Sequence, residues 1–250
     1  LDIDGNLQIN SGATLDISSG DNLEIAGNFE VYGTFTTGNE TITLNGSSSQ
    51  TFFHPSNANS VGHSNSNVNV VINSSGGTVT LGKNLSVNDF TITAGTFAMS
   101  ANISLAGDWS DGGTLTANTS TVTFNGSAAQ TITSGGSTFY NLTNSNTSNT
   151  VSLSDAFILN GSGTLTIDAS STFSLNGQAF NSNSGTITNN GTFQLNGDET
   201  LASATTIAGS GTTKFVDASG ATLTTSFSGL ANVEFNSNGQ TFTLSEDMDY

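Results

Sequence analysis

The sequence predicts an all-β chain, a parallel β-helix or β-solenoid of roughly 20-residue coils, uncapped at both ends. Three observations predict it. First, residues 26–52 return at 106–132, 80 positions later and without a gap. Twelve of the 27 positions are identical: Ala26, Gly27, Gly33, Thr34, Thr36, Thr41, Thr43, Asn45, Gly46, Ser47, Gln50 and Thr51. A repeat of this kind decides architecture before any local reading does. Second, apolar and polar residues alternate in runs of three to five bounded by Gly or Asn, which is the strand period, and no helical period occurs. Third, the runs are short and close together. An antiparallel sandwich wants strands of about five or six residues, whereas a coiling chain pairs each short strand with its equivalent one coil later.

In chain order the strands begin with Leu7-Gln8-Ile9, Leu15-Asp16-Ile17 and Leu23-Glu24-Ile25, eight residues apart. Thr78-Val79-Thr80-Leu81 recurs as Thr150-Val151-Ser152-Leu153, an offset of 72 rather than 80. The first copy therefore carries eight extra residues, read as an insertion loop at about 53–69. That loop holds the only Pro and both His (His54, Pro55 and His63), and is expected to be a solvated decoration with no metal. Further strands are Thr164-Leu165-Thr166-Ile167 and Thr192-Phe193-Gln194-Leu195. Asn232-Val233 through Thr241–Leu244 matches Asn141-Leu142 through Thr150–Leu153 at offset 91. The domain reading is one continuous solenoid over 1–250, about twelve coils, with an internal repeat of about 72–91 residues.

Apolar-Asn-Gly marks corners at Asn45-Gly46, Asn125-Gly126, Asn160-Gly161, Asn176-Gly177 and Asn196-Gly197. Asn and Gly tolerate the positive φ of a sharp corner. Asparagines at equivalent corners are expected to stack as an amide ladder.

Composition narrows the function. The chain has 250 residues, no Cys, and only 8% charged residues, against roughly 25% in ordinary domains. Leu, Ile, Val and Phe number 59, about 24%, above the roughly 20% below which a chain stays disordered. The formal charge is −17, with Lys83 and Lys214 the only strong cations. Nucleic acid is not an expected partner, since phosphate binding needs clustered Lys and Arg. Membrane insertion is not expected, since no apolar run nears the roughly 20 residues of a span. The chain starts at Leu1 and reads as a processed product or a segment of something longer.

Candidate sites are few. Glu246, Asp247 and Asp249 near one end and Asp2 and Asp4 near the other form an oxygen-rich set. If units join end to end, five carboxylates meet at the seam, the donor type Ca²⁺ takes; no cofactor is otherwise required. Asp108 and Asp111 are expected to be exposed turn carboxylates. Tyr32, Trp109 and Tyr140 are the aromatics that would line a glycan groove. Thr-apolar-Thr pairs abound but do not recur at one coil spacing, which argues against a flat ice-matching lattice.

The stretches Thr121–Ile132 and Phe139-Tyr140-Asn141-Leu142-Thr143, and the coils around Gly163–Gly177, resemble the repeat regions of bacterial surface β-solenoids, namely filamentous-haemagglutinin-type adhesins and autotransporter passengers. That resemblance implies an extracellular, cell-surface location and an adhesive, stalk or fibre role. The expected function is a non-enzymatic structural module of a surface protein or filament, stacking end to end or continuing a longer array. Its expected partners are copies of itself, adjacent repeats or surface glycans. The alternatives are a glycan-binding or glycan-cleaving β-helix and an ice-binding solenoid.

Overall fold

A computed structural model describes residues 1–53, 62–202, 205–216, 222–223, 227–236 and 243–244. Parallel strands stack in about ten coils of about 20 residues, and the described residues contain no helix: the chain is a β-solenoid. It divides into two compact units, Leu1–Val122 and Thr123–Tyr250.

In the first unit each coil gives one strand to each of three sides. One side stacks Asp2–Ile3, Leu23–Ile25, Thr41–Leu44, the first parts of Asn69–Leu81 and Phe90–Met99, and Trp109–Asp111. A second stacks Leu7–Ile9, Phe29–Val31, Gln50–Phe52, the latter parts of the same two long strands, and Thr114–Thr116. The third carries Thr14–Asp16 on Thr34–Thr36, and His63–Ser64, Leu85–Val87 and Ile103–Leu105 in a separate ladder. Asn65 joins those ladders, its Nδ2 donating to the carbonyls of Thr37 and Gly38 and to Thr37 Oγ1.

The second unit repeats the plan. Gln130–Thr133, Thr150–Leu153, Thr172–Ser174, Thr192–Leu195, Thr212–Phe215 and Asn232–Phe235 form one side. Thr138–Asn144 and Phe157–Ile167 each bend across the other two sides, with a register shift between Phe139 and Asn141. Phe180–Asn181 and Leu201–Ala202 continue one of these sides. Thr186–Asn189, Thr205–Ala208 and Phe227–Ser228 continue the other.

Alternation explains the core. Side chains point to opposite faces at successive positions, so the apolar member of each pair lands inside the coil. Register then sets like on like. Leu23, Ile42, Val70 and Phe90 form one buried column, and Ile25, Leu44, Ile72 and Ile92 another. Aromatic register partners stack as rings: Phe90 on Trp109 at 5.0 Å, Phe157 on Phe180 at 5.7 Å and Phe173 on Phe193 at 6.5 Å. Offset stacking of this kind adds about 0.5–1.5 kcal/mol beyond area burial.

The insertion is visible as register. Leu23 to Ile42 is a step of 19 residues, but Thr41 pairs with Asn69 and Gln50 with Val79, steps of 28 and 29. Gln130, the repeat equivalent of Gln50, pairs with Val151, a step of 21 against 29, so the excess is the eight residues counted from the sequence, and 54–61 lie outside the described residues. The bounds are narrower than expected. His63–Ser64 is a strand and Asn69 begins another, so His63 is no part of a solvated loop. At the entry, Phe53 has φ +63, which turns it inward beside Phe52 so that consecutive rings are both buried.

Two corner expectations need correction. Of the five Asn-Gly corners only Asn176-Gly177 has positive φ at both residues. At Gly46 the requirement is space instead: a Cβ there would sit 2.2 Å from the Ala26 carbonyl oxygen. The ladder uses other asparagines. Asn6 Oδ1 accepts from Asn28 N, and Asn28 Oδ1 from Thr51 N. Likewise Asn84 Oδ1 accepts from Asn102 N, and Asn102 Oδ1 from Thr121 N. Asn45 Nδ2 instead donates to Glu24.

The repeat also lands differently from a whole number of coils. Phe29–Val31 lies on the second side of the first unit, yet its copy Trp109–Asp111 lies on the first side. Asn232–Phe235, matched in sequence to Asn141 onward, pairs instead with Thr212–Phe215, in the column of Thr150–Leu153. The repeated segment encodes strand–corner–strand, and any side of the coil accepts it.

Phe173→Ala is expected to cost about 3–5 kcal/mol, and the half-exposed neighbour Thr172→Ala less than about 1 kcal/mol. Urea unfolding of the two variants checks the difference.

Candidate functional site

The first described coil is built like the others but, among the described residues, is covered on one side only. Asp2–Ile3 pairs with Leu23–Ile25, Leu7–Ile9 with Phe29–Val31, and Thr14–Asp16 with Thr34–Thr36, and no second strand partner occurs for these three among the described residues. Burial follows. Leu23, Ile25, Phe29 and Val31 in the next coil are at most 1% exposed, whereas Ile3, Leu7 and Leu15 are half-buried. In the second unit Phe215 is fully buried, but its stacked partner Phe235 is 45% exposed. Leu1, at 55%, is the other strongly exposed large apolar residue among those described. Unpaired strand edges with apolar columns beneath them are templates for further strands.

The acidic candidates divide. Asp2 and Asp4 are exposed on the first coil. Glu246, Asp247 and Asp249 lie outside the described residues. No group of three or more His, Cys, Asp or Glu side chains gathers at metal-binding distance among the described residues. Asp108 is exposed as expected, but Asp111 is buried in the strand Trp109–Asp111, where its Oδ1 accepts from Gly113 N at 2.8 Å.

Other carboxylates hold backbone, Glu40 and Glu199 buried and Asp155 half-buried. Glu199 accepts from the N–H groups of Asn196, Gly197 and Gly177. Glu40 accepts from those of Gly38 and Gly20, and Asp155 from those of Ser134 and Gly135. Carboxylates spent on backbone donors at corners are structural staples, since each oxygen closes an N–H that the turn leaves open. Sequence reasoning missed them because an acid beside a turn, such as Glu199 after Asn196-Gly197, looks like any surface acid.

Two of the three aromatics are engaged within the first unit. Trp109 is 1% exposed inside the first unit, stacked on Phe90. Tyr32 donates its hydroxyl to Glu30 on the same stretch of chain. A shallow groove of about 570 Å³ is lined by Gly62, Lys83, Asn84, Ser100, Asn102 and Thr119 among others. Its described lining carries amides, hydroxyls and Lys83 and no carboxylate.

The threonines do line up. Thr164 and Thr166 lie in register under Thr186 and Thr188, with Asn141 and Thr143 below them and Ala208 beyond Thr188. Unequal corner lengths hide this from a fixed spacing: the steps are 23 residues from Thr143 to Thr166, 22 to Thr188 and 20 to Ala208. Register across corners of unequal length therefore aligns Thr on this face without a fixed spacing in the sequence.

His63 Nε2 lies 2.9 Å from Thr37 Oγ1, and its ring packs 5.0 Å from Phe35. Burial pushes its pKa below the ordinary 6.5. Comparison of the chain with known proteins finds no matching family model, no matching curated protein and no matching solved structure.

A depressed histidine is neutral in both states at high pH. As pH drops below about 6.5 the unfolded chain takes up the proton first. The stability contributed by neutral His63 is therefore lost on acidification. A His63→Gln variant is expected to show a flatter stability–pH curve across this window, measured by denaturant midpoint at each pH.

Proposed function

We propose that this chain is a non-enzymatic structural module of an extracellular cell-surface protein or filament, in which coils are added end to end, by further copies or by adjacent repeats. The observation that carries the reading is the incompletely buried apolar face of the first described coil, at Ile3, Leu7 and Leu15. Covering them adds the same contacts that every inner coil already makes. At roughly 25 cal/mol per Å² of apolar area removed from water, together with in-register backbone pairing, this favours stacking over exposure. A low-charge surface rich in Ser, Thr and Asn, with one described ion pair, Lys214 to Glu234 at 3.1 Å, suits a passive stalk. An adhesive role at the sides, toward surface glycans, is compatible with the polar groove at Asn84 and Asn102.

A second reading is favoured by one observation. The ranks Thr143–Thr166–Thr188 and Asn141–Thr164–Thr186 carry no charge and repeat at about 4.8 Å between coils and about 7 Å along the strand. A flat, regular array of hydroxyl and methyl groups can order water, which is what an ice-binding face requires.

The module reading predicts concentration-dependent end-to-end association of the purified chain, seen by sedimentation and electron microscopy and abolished by Leu7→Asp. A chain that stays monomeric at every concentration, with Leu7→Asp indistinguishable from it, would sink the reading. The ice-binding reading predicts a gap between melting and freezing points that Thr166→Lys removes; no gap in the unsubstituted chain excludes it.

A further inference from the structure

Asn-Gly is the dipeptide most prone to spontaneous self-modification, because no side chain on Gly shields its nitrogen. In that reaction the Gly backbone nitrogen attacks Asn Cγ and a new N–C bond forms. The Cγ–Nδ2 bond breaks, and ammonia leaves carrying the proton given up by the Gly nitrogen. Water then opens the succinimide ring to Asp or to isoaspartate, which carries one extra backbone methylene. This chain has seven Asn-Gly steps, at Asn45, Asn125, Asn160, Asn176, Asn190, Asn196 and Asn238. All but Asn238 fall among the described residues.

At five of those six the attacking N–H is already held by a side-chain oxygen. Gly46 N donates to Gln50 Oε1 at 2.9 Å and Gly126 N to Gln130 Oε1 at 3.0 Å. Gly177 N and Gly197 N donate to the two oxygens of the single Glu199 carboxylate, at 3.1 and 2.7 Å. Gly191 N donates to Asn189 Oδ1 at 3.2 Å. The holding groups are themselves fixed: Gln50, Gln130, Asn189 and Glu199 are 2, 1, 2 and 8% exposed. Gln50 is tied further by Nε2 donating to the carbonyls of Ile25 and Gly27, and Asn189 by Nδ2 donating to Thr212 O. The susceptible amide is held too at Asn45, by Glu24, and at Asn176, by Leu153 O.

We infer that Gln50, Gln130, Asn189 and Glu199 are protecting groups for latent modification sites: each immobilises a Gly N–H and keeps it from the neighbouring Asn side chain. Attack requires the donor to leave its acceptor and swing toward Cγ, so the hydrogen bond adds directly to the barrier. The arrangement recurs at Gln50 and Gln130, which are repeat equivalents, and arises in another form at Glu199, where one carboxylate guards two corners. Asn160 has a different arrangement, its own Oδ1 accepting from Ser162 N, and carries no such guard on Gly161 in the described hydrogen bonds.

The test is peptide mass mapping of the intact chain during prolonged incubation at mildly alkaline pH, following the amide-to-acid mass gain at each Asn separately. Glu199→Met is expected to raise the rate on the order of tenfold at Asn176 and Asn196 together, and to leave Asn45 and Asn125 unchanged. Glu199→Gln, which keeps an acceptor oxygen, is expected to leave at least one of the two corners protected. Gln50→Met and Gln130→Met are expected to release Asn45 and Asn125 respectively, each alone. The unaffected corners of each variant serve as a folding reference. Unchanged rates in all three Met variants, or a rise shared equally by every corner, overturns the assignment.

Discussion

Register between successive coils is the constraint on which the rest of this structure depends. Each strand finds its backbone partners only in the coils above and below, about 20 residues away, and the same step stacks apolar side chain on apolar side chain. The two demands are met together or not at all, because a slip of one residue sends every inward group outward. Leu23, Ile42, Val70 and Phe90 show the result: four residues from four coils, one column, all buried. The polar stacks answer to the same rule, with Asn6 and Asn28 passing an acceptor from coil to coil.

That constraint also accounts for an unusual use of charge. The chain is strongly acidic, yet Glu40, Asp155 and Glu199 face backbone N–H groups at corners rather than cations. A corner breaks the ladder and leaves donors unmatched, and burying an unmatched donor costs about 1–3 kcal/mol. Carboxylates supply two acceptor oxygens in a small volume, which is why one Glu199 serves three donors on two coils. With two lysines and no arginine available, ion pairing plays almost no part in cohesion.

Much of the fold was legible in the sequence. Leu7–Ile9, Leu23–Ile25 and Thr192–Leu195 are strands at the expected bounds, and the eight-residue excess before Val70 reappears as a longer step between coils. These succeeded because alternation and segment spacing are one-dimensional quantities. What failed was three-dimensional. The 80-residue repeat does not say which side a strand joins, since Phe29–Val31 and Trp109–Asp111 take different sides. His63 was misplaced because an insertion's bounds cannot be told from an alignment of two copies. The Thr ranks escaped notice because corners of different length scramble the spacing between strands that end up adjacent. The candidate site fared less well: Asp111 and Trp109 look exposed in a list of residues, and burial alone removes them.

The longer step between Thr41 and Asn69 has a bearing on how such chains change over time. Above and below it the columns continue undisturbed, so the arc joining one strand to the next is free in length while the strands are not. A lineage of these proteins can therefore vary at its rim, gaining or losing surface segments, without renegotiating its interior. The same tolerance leaves the number of residues between Phe52 and His63 unconstrained by the columns on either side.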